Sequence, residues 1–121
     1  MRTQKPYLIR AIHEWCSDNE LTPYLVVLVN ANTIVPLHLV KDNTIVLNTS
    51  KTATRDLSIG LDEIQFKATF SGEIVDIYVP IENVVSILAK ENSQGLNFDI
   101  DKTALLAKTK ETKSSGLKLV K

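Results

Sequence analysis

The chain opens on apolar residues at helical spacing. Leu8, Ile12, Trp15 and Cys16 stand at i, i+4, i+7 and i+8, while Arg10, His13, Glu14 and Ser17 fall elsewhere. This pattern predicts an amphipathic helix over roughly Tyr7 to Asp18, with Ile9 and Ala11 widening its apolar side. Pro6 suits the first helical turn, where its fixed φ is favourable and its missing N–H is no loss. Asp18-Asn19-Glu20 ends the helix, and Pro23 prevents its resumption.

Beyond Pro23 the periodicity changes. Tyr24 to Val29 is a continuous β-branched and apolar run, the pattern of a strand buried on both faces. Asn30-Ala31-Asn32 predicts a turn. Thr33 to Val40 reads as a second strand, with Pro36 at an edge or bulge. Asp42-Asn43 is a turn pair, and Thr44 to Leu47 reads as a third strand. Asn48 to Asp56 holds little that favours burial and reads as a shaped loop. Ile64, Phe66, Ala68 and Phe70 then alternate with Gln65, Lys67 and Thr69, predicting a strand with one buried face. Ser71-Gly72 signals a hairpin turn, and Val75, Ile77 and Val79 continue the alternation to Pro80. Residues 81–91 fit a helix or a short 3₁₀ turn followed by a strand; β-branched content and the preceding meander favour the strand. The fold class expected is mainly β with one N-terminal helix: a meander of five to seven strands curled into a small, partly open barrel.

Composition narrows the function. At 121 residues with 44% hydrophobic content, the chain is one globular domain with or without a tail. Fourteen basic residues balance fourteen acidic ones, which disfavours a general nucleic-acid binder needing surplus cations. From Asp99 onward six Lys face three acids, giving +3 and leaving −3 on residues 1–98. The single cysteine permits no internal disulfide. With a polar N-terminus and no long apolar run, a soluble cytoplasmic protein is expected, without membrane association.

Few groups suggest catalysis. His13 and Cys16 are at i, i+3, but zinc would need two further ligands of comparable quality. Cys16 reads as a small packing residue and His13 as solvated. Asp62-Glu63, Asp99/Asp101 and Glu14/Asp18 read as solvated turns or helix ends, and no glycine-rich phosphate loop is present. A binding module is therefore expected rather than an enzyme, with no cofactor and no metal. The C-terminal Gly116-Leu117-Lys118-Leu119-Val120-Lys121 is apolar with basic punctuation, after a polar stretch over residues 108–115. Its alternation suits an extended peptide docking on a partner.

Taken in order, Lys5 to Ala11, Glu14-Trp15, Leu21 to Val27, Ile45 to Asn48, Ile64 to Phe70, Val79-Pro80, Ala89 to Asn92 and Leu117 to Lys121 strongly resemble the stringent starvation protein B (SspB) family of ClpXP specificity-enhancing adaptors. The resemblance implies an Sm-like or SH3-like β-fold and a homodimer assembled through the N-terminal helix, placing Leu8, Ile12 and Trp15 at the dimer interface. It implies a groove for the ssrA degradation tag of trans-translated polypeptides, with Asn48, Thr49, Ser50, Ala53 and Thr54 on one wall. Gln65, Phe66, Lys67, Ala68 and Phe70 form the other, although alternation also places Phe66 and Phe70 toward a core. It implies that Leu117, Lys118, Leu119, Val120 and Lys121 dock on the zinc-binding N-terminal domain of the ClpX unfoldase, and it allows ribosome association. The organisation expected is a tag-binding and dimerisation domain at 1–98, a flexible linker at 99–115 and a tail motif at 116–121.

Some positions depart from the family pattern. Arg55 stands where relatives usually carry Gly, and Asn92 to Gly95 keeps one glycine of a usual pair. The linker is short and slightly basic where the family's is long and acidic. The alternative class, an Sm-like RNA-binding barrel, would need a basic, aromatic strand face, which the −3 body opposes.

Overall fold

The computed structural model describes residues 3–107. Helix α1 (Lys5–Asp18) begins with Pro6 in its first turn. Seven strands follow: β1 (Pro23–Leu28), β2 (Thr44–Asn48), β3 (Thr54–Ile59), β4 (Glu63–Phe70), β5 (Glu73–Pro80), β6 (Val84–Ala89) and β7 (Gly95–Asn97). A short helix, α2 (Lys102–Ala107), completes the described chain. The strands form two antiparallel sheets, β2-β1-β6-β7 and β3-β4-β5, which do not join into a closed barrel. Their inner faces meet in one core. Leu25, Val27, Ile45, Leu47, Val84 and Ile87 come from the first sheet, Ile64, Phe66, Ala68, Ile77 and Val79 from the second, and Ile9 from α1.

Where the alternation is clean, structure follows it. In β4, Ile64, Phe66 and Ala68 are buried and Gln65, Lys67 and Thr69 exposed. Ser71 (φ 51°) and Gly72 (φ 84°) make a two-residue hairpin loop with both φ positive, as a primed turn requires. Ile81–Asn83 is a 3₁₀ turn, and the ambiguous segment after it is strand β6. The residue before that turn, Pro80, closes β5 and prevents the ladder from continuing.

Several expectations need correction. Residues 33–40 are not a strand: Ile34 forms an isolated bridge with Tyr78 and Leu37–Leu39 is a 3₁₀ turn. Pro36 supplies no N–H to a ladder there. Part of the predicted loop at 48–56 is strand, since β3 starts at Thr54 and pairs Thr54 with Ala68. Strand β1 is not buried on both faces: Tyr24 and Val26 are only partly covered. Helix α1 buries Pro6, Ile9, His13 and Cys16 rather than the Leu8/Ile12/Trp15 line, so His13 is not solvated. At 3.6 residues per turn, Leu8, Ile12 and Trp15 lie about 100° round the helix from that buried face. Leu8 is 38% exposed, while Ile12 and Trp15 are half-buried.

Helix α2 lies within the range predicted as linker. Leu105 is buried and its carbonyl accepts the Asn30 Nδ2–H at 2.9 Å. The rest of that range, 108–115, and the tail motif at 116–121 lie outside the described residues. No described helix is long and apolar enough to cross a membrane.

Gly95 illustrates a position fixed by close approach. A Cβ there would run into the Ile87 carbonyl and lie 2.6 Å from the Leu88 Cα. Gly95→Ala is therefore expected to detach β7 and destabilise the fold by roughly 1–3 kcal/mol. Thermal unfolding measures the loss, and faster exchange of the Phe98 amide, which donates to Val85 O, locates it.

Candidate functional site

The second sheet places most of the predicted site residues together. The antiparallel register puts Gln65 opposite Tyr78, Lys67 opposite Asp76 and Thr69 opposite Ile74. On the other side of β4, Lys67 faces Arg55 and Ala68 faces Thr54. Two adjoining hollows follow from this. One, of about 390 Å³, is lined by Ile34, Asp56, Gln65, Phe66, Lys67 and Tyr78 among others. The second, of about 240 Å³, is lined by Thr52, Ala53, Thr54, Lys67, Ala68 and Ile74 with their neighbours. Lys67 borders both, so the two hollows adjoin along β4. The first hollow is mainly apolar, with Ile34, Ile77 and Tyr78 at its sides. Arg55 and Lys67 are balanced by Asp56 and Asp76, so the path carries no strong net charge.

Local backbone shapes this wall. The β3–β4 register shifts between Arg55 and Ser58, and Asp56 sits at the bulge with φ 55°. Asp tolerates this left-handed conformation better than most non-glycine residues. Ile34 occupies the β5 edge at Tyr78 through two backbone bonds of 2.8 and 3.0 Å, whereas β3 forms the opposite edge of the sheet.

Not every predicted wall residue reaches the path. Asn48 is exposed on β2, and its Oδ1 accepts the Ser50 N–H at 2.9 Å. Thr49 is buried, and its N–H and its hydroxyl both donate to Pro23 O at 2.9 Å. Ser50 O accepts the Thr54 hydroxyl at 2.9 Å. These three brace the 50–54 turn and do not line the hollows, nor does Phe70, which packs against the core. Sequence reasoning missed Ile34, Ile74 and Tyr78, since their place depends on strand register.

A larger cleft of about 590 Å³ lies elsewhere, between the start of α1, the β5–β6 connection and residues 99–105. Its lining includes Lys5 together with Asp62, Glu82, Asp99 and Asp101. Burial of the Lys5 amine lowers its pKa to about 8 despite the opposing pull of Glu82. The same amine lies 5.1 Å from the centre of the Phe98 ring. Elsewhere, burial raises the Cys16 thiol above its ordinary value, with Glu91 adding to the effect. Glu91 is held below the usual carboxylate range by the backbone N–H and hydroxyl of Thr22. Among the described residues no group of three or more His, Cys, Asp or Glu could hold a metal ion.

The architecture defines a small two-sheet β-protein with an N-terminal helix and a shallow hollow running along β4. Residues 3–118 match the family model described as SspB, stringent starvation protein B, and the chain belongs to that family. It is also 43% identical over 97 residues to a protein of Haemophilus influenzae named "Stringent starvation protein B homolog". That match covers 79% of this chain and 65% of the relative's length.

Proposed function

We propose that the chain is a proteolytic adaptor. It binds ssrA-tagged polypeptides along the β4 path and presents Leu117 to Lys121 to the zinc-binding N-terminal domain of ClpX. The observation that carries this reading is that Ala53 and Thr54 from one predicted wall and Gln65, Phe66, Lys67 and Ala68 from the other line two adjoining hollows in a chain of the SspB family. Apolar sides in the larger hollow favour peptide side chains. The protein supplies no covalent chemistry in this scheme. Holding substrate and unfoldase on one chain makes delivery intramolecular, with effective concentrations reaching the millimolar range for short flexible links.

The docked helix α2 shortens the tether. Eight residues, 108–115, separate Ala107 from Gly116, and eight residues in any conformation span at most about 26–29 Å. The unfoldase would then engage close to the body. The test is degradation of a tagged substrate by ClpXP at limiting substrate concentration. Adding the chain is expected to lower the apparent KM with little change in kcat. No change in KM would contradict tethering.

The exposed flank of α1 is the proposed dimer surface, where Trp15 would be an aromatic anchor of the kind that dominates interfaces. Leu8→Asp combined with Trp15→Ala is expected to weaken self-association by about 30-fold or more. Sedimentation should then show a monomer. The core should persist, because Ile9, His13 and Cys16 on the buried face are untouched. A variant that sediments as the wild type would remove this flank from the interface.

A further inference from the structure

We infer that α1 clamps the β3 wall of the groove at both ends, and that His13 and Arg10 are positioning residues for peptide binding. This rests on the peptide reading above. Strand β3 is held only lightly by its own side chains: Leu57 and Ile59 pack against the core but stay partly exposed. None of its six residues is buried, and its ladder with β4 is interrupted between Arg55 and Ser58. Such an edge segment belongs to the low-stability end of a fold unless something fixes it.

The helix provides two fixings. His13, 8% exposed, lies 2.7 Å through Nε2 from the carbonyl of Thr49. A carbonyl only accepts, so Nε2 carries the proton and donates. Arg10 Nε donates to the carbonyl of Ile59, also at 2.7 Å. These carbonyls bracket the segment that contributes Thr52, Ala53, Thr54, Arg55 and Asp56 to the two hollows. Thr49 is itself fastened to Pro23 O by its N–H and hydroxyl, so the His13 end of the clamp is anchored to β1 as well. The wall therefore takes its position from a helix 36 to 49 positions away in sequence. Neither His13 nor Arg10 lines a hollow, so both would act through the backbone they hold.

The experiment compares the full chain with His13→Leu, His13→Gln and Arg10→Leu. A fluorescent ssrA tag peptide measures affinity, and hydrogen exchange is read on the ligand-free proteins. His13→Leu is expected to weaken peptide binding about five- to tenfold, the worth of one buried hydrogen bond. His13→Gln, whose amide can donate in place of Nε2, is expected to restore most of it. Amides of residues 50–58 should exchange faster in His13→Leu and Arg10→Leu, while those of β1 and β6 stay protected. General destabilisation would instead accelerate exchange throughout. Wild-type affinity in His13→Leu, failure of His13→Gln to recover, or unchanged exchange at 50–58 would each overturn the clamp. If the wild-type chain binds no peptide, the peptide reading falls, and exchange alone still decides whether α1 fixes the wall.

Discussion

Removal of residues 117–121 is expected to abolish the stimulation of ClpXP degradation while leaving tag-peptide affinity unchanged. The reasoning is separation of tasks. Among the described residues, the hollows along β4 are lined by positions between 34 and 78, a stretch of sequence separate from the tail. On the proposed reading, losing the tail would remove the link to the unfoldase and not the substrate site. Delivery then returns to a bimolecular encounter, and a millimolar effective concentration is lost. With substrate and adaptor at micromolar levels, the rate should fall to that without adaptor. Steady-state degradation of a tagged fluorescent protein measures this, and full-rate delivery by the truncated chain would contradict it.

A bulky residue at position 68 is expected to give the largest loss of peptide affinity. Ala68 is 9% exposed, lies opposite Thr54 and lines the smaller hollow. Ala68→Leu would occupy space where a peptide backbone must approach. A tenfold or greater loss in affinity is expected, a cost of about 1.4 kcal/mol or more. The same residue also belongs to the core, so overpacking should lower stability by about 1–3 kcal/mol. For a domain of this size that amounts to roughly 4–8 °C per kcal/mol in Tm. Calorimetric titration well below the transition separates the two effects. Unchanged affinity in the folded variant would remove Ala68 from the site.

The elements that sequence revealed are those whose burial has a simple period. In β4 the inward residues Ile64, Phe66 and Ala68 alternate strictly with exposed ones, and α1 carries apolar residues at helical spacing. Strand β3 escaped because in Thr-Arg-Asp-Leu-Ser-Ile only Leu57 and Ile59 pack against the core, and only partly, too short an alternation to mark a period of two. Residues 33–40 misled in the opposite sense. Ile34, Leu37 and Leu39 look like strand positions, yet they are 52%, 74% and 43% exposed. His13 looked solvated because imidazole is polar, and its partner, the Thr49 carbonyl, is remote in sequence. The spacing of Pro6, Ile9, His13 and Cys16 at i, i+3, i+7 and i+10 does mark a helical face, so a signal was present. Of the proposed site, positions 65–68 on β4 and Ala53 and Thr54 were legible, and these do line the hollows. Its other contributors, Ile34, Ile74 and Tyr78, depend on register, which no local pattern encodes.

The central claim is that this body grips a linear peptide along β4. Titration of a fluorescent ssrA tag peptide into the purified full chain, followed by anisotropy, tests it most directly. Saturable binding with one peptide per chain, competed by unlabelled tag and weakened by Ala68→Leu, is expected. Absence of saturable binding at high micromolar protein, or binding that Ala68→Leu leaves untouched, would contradict it.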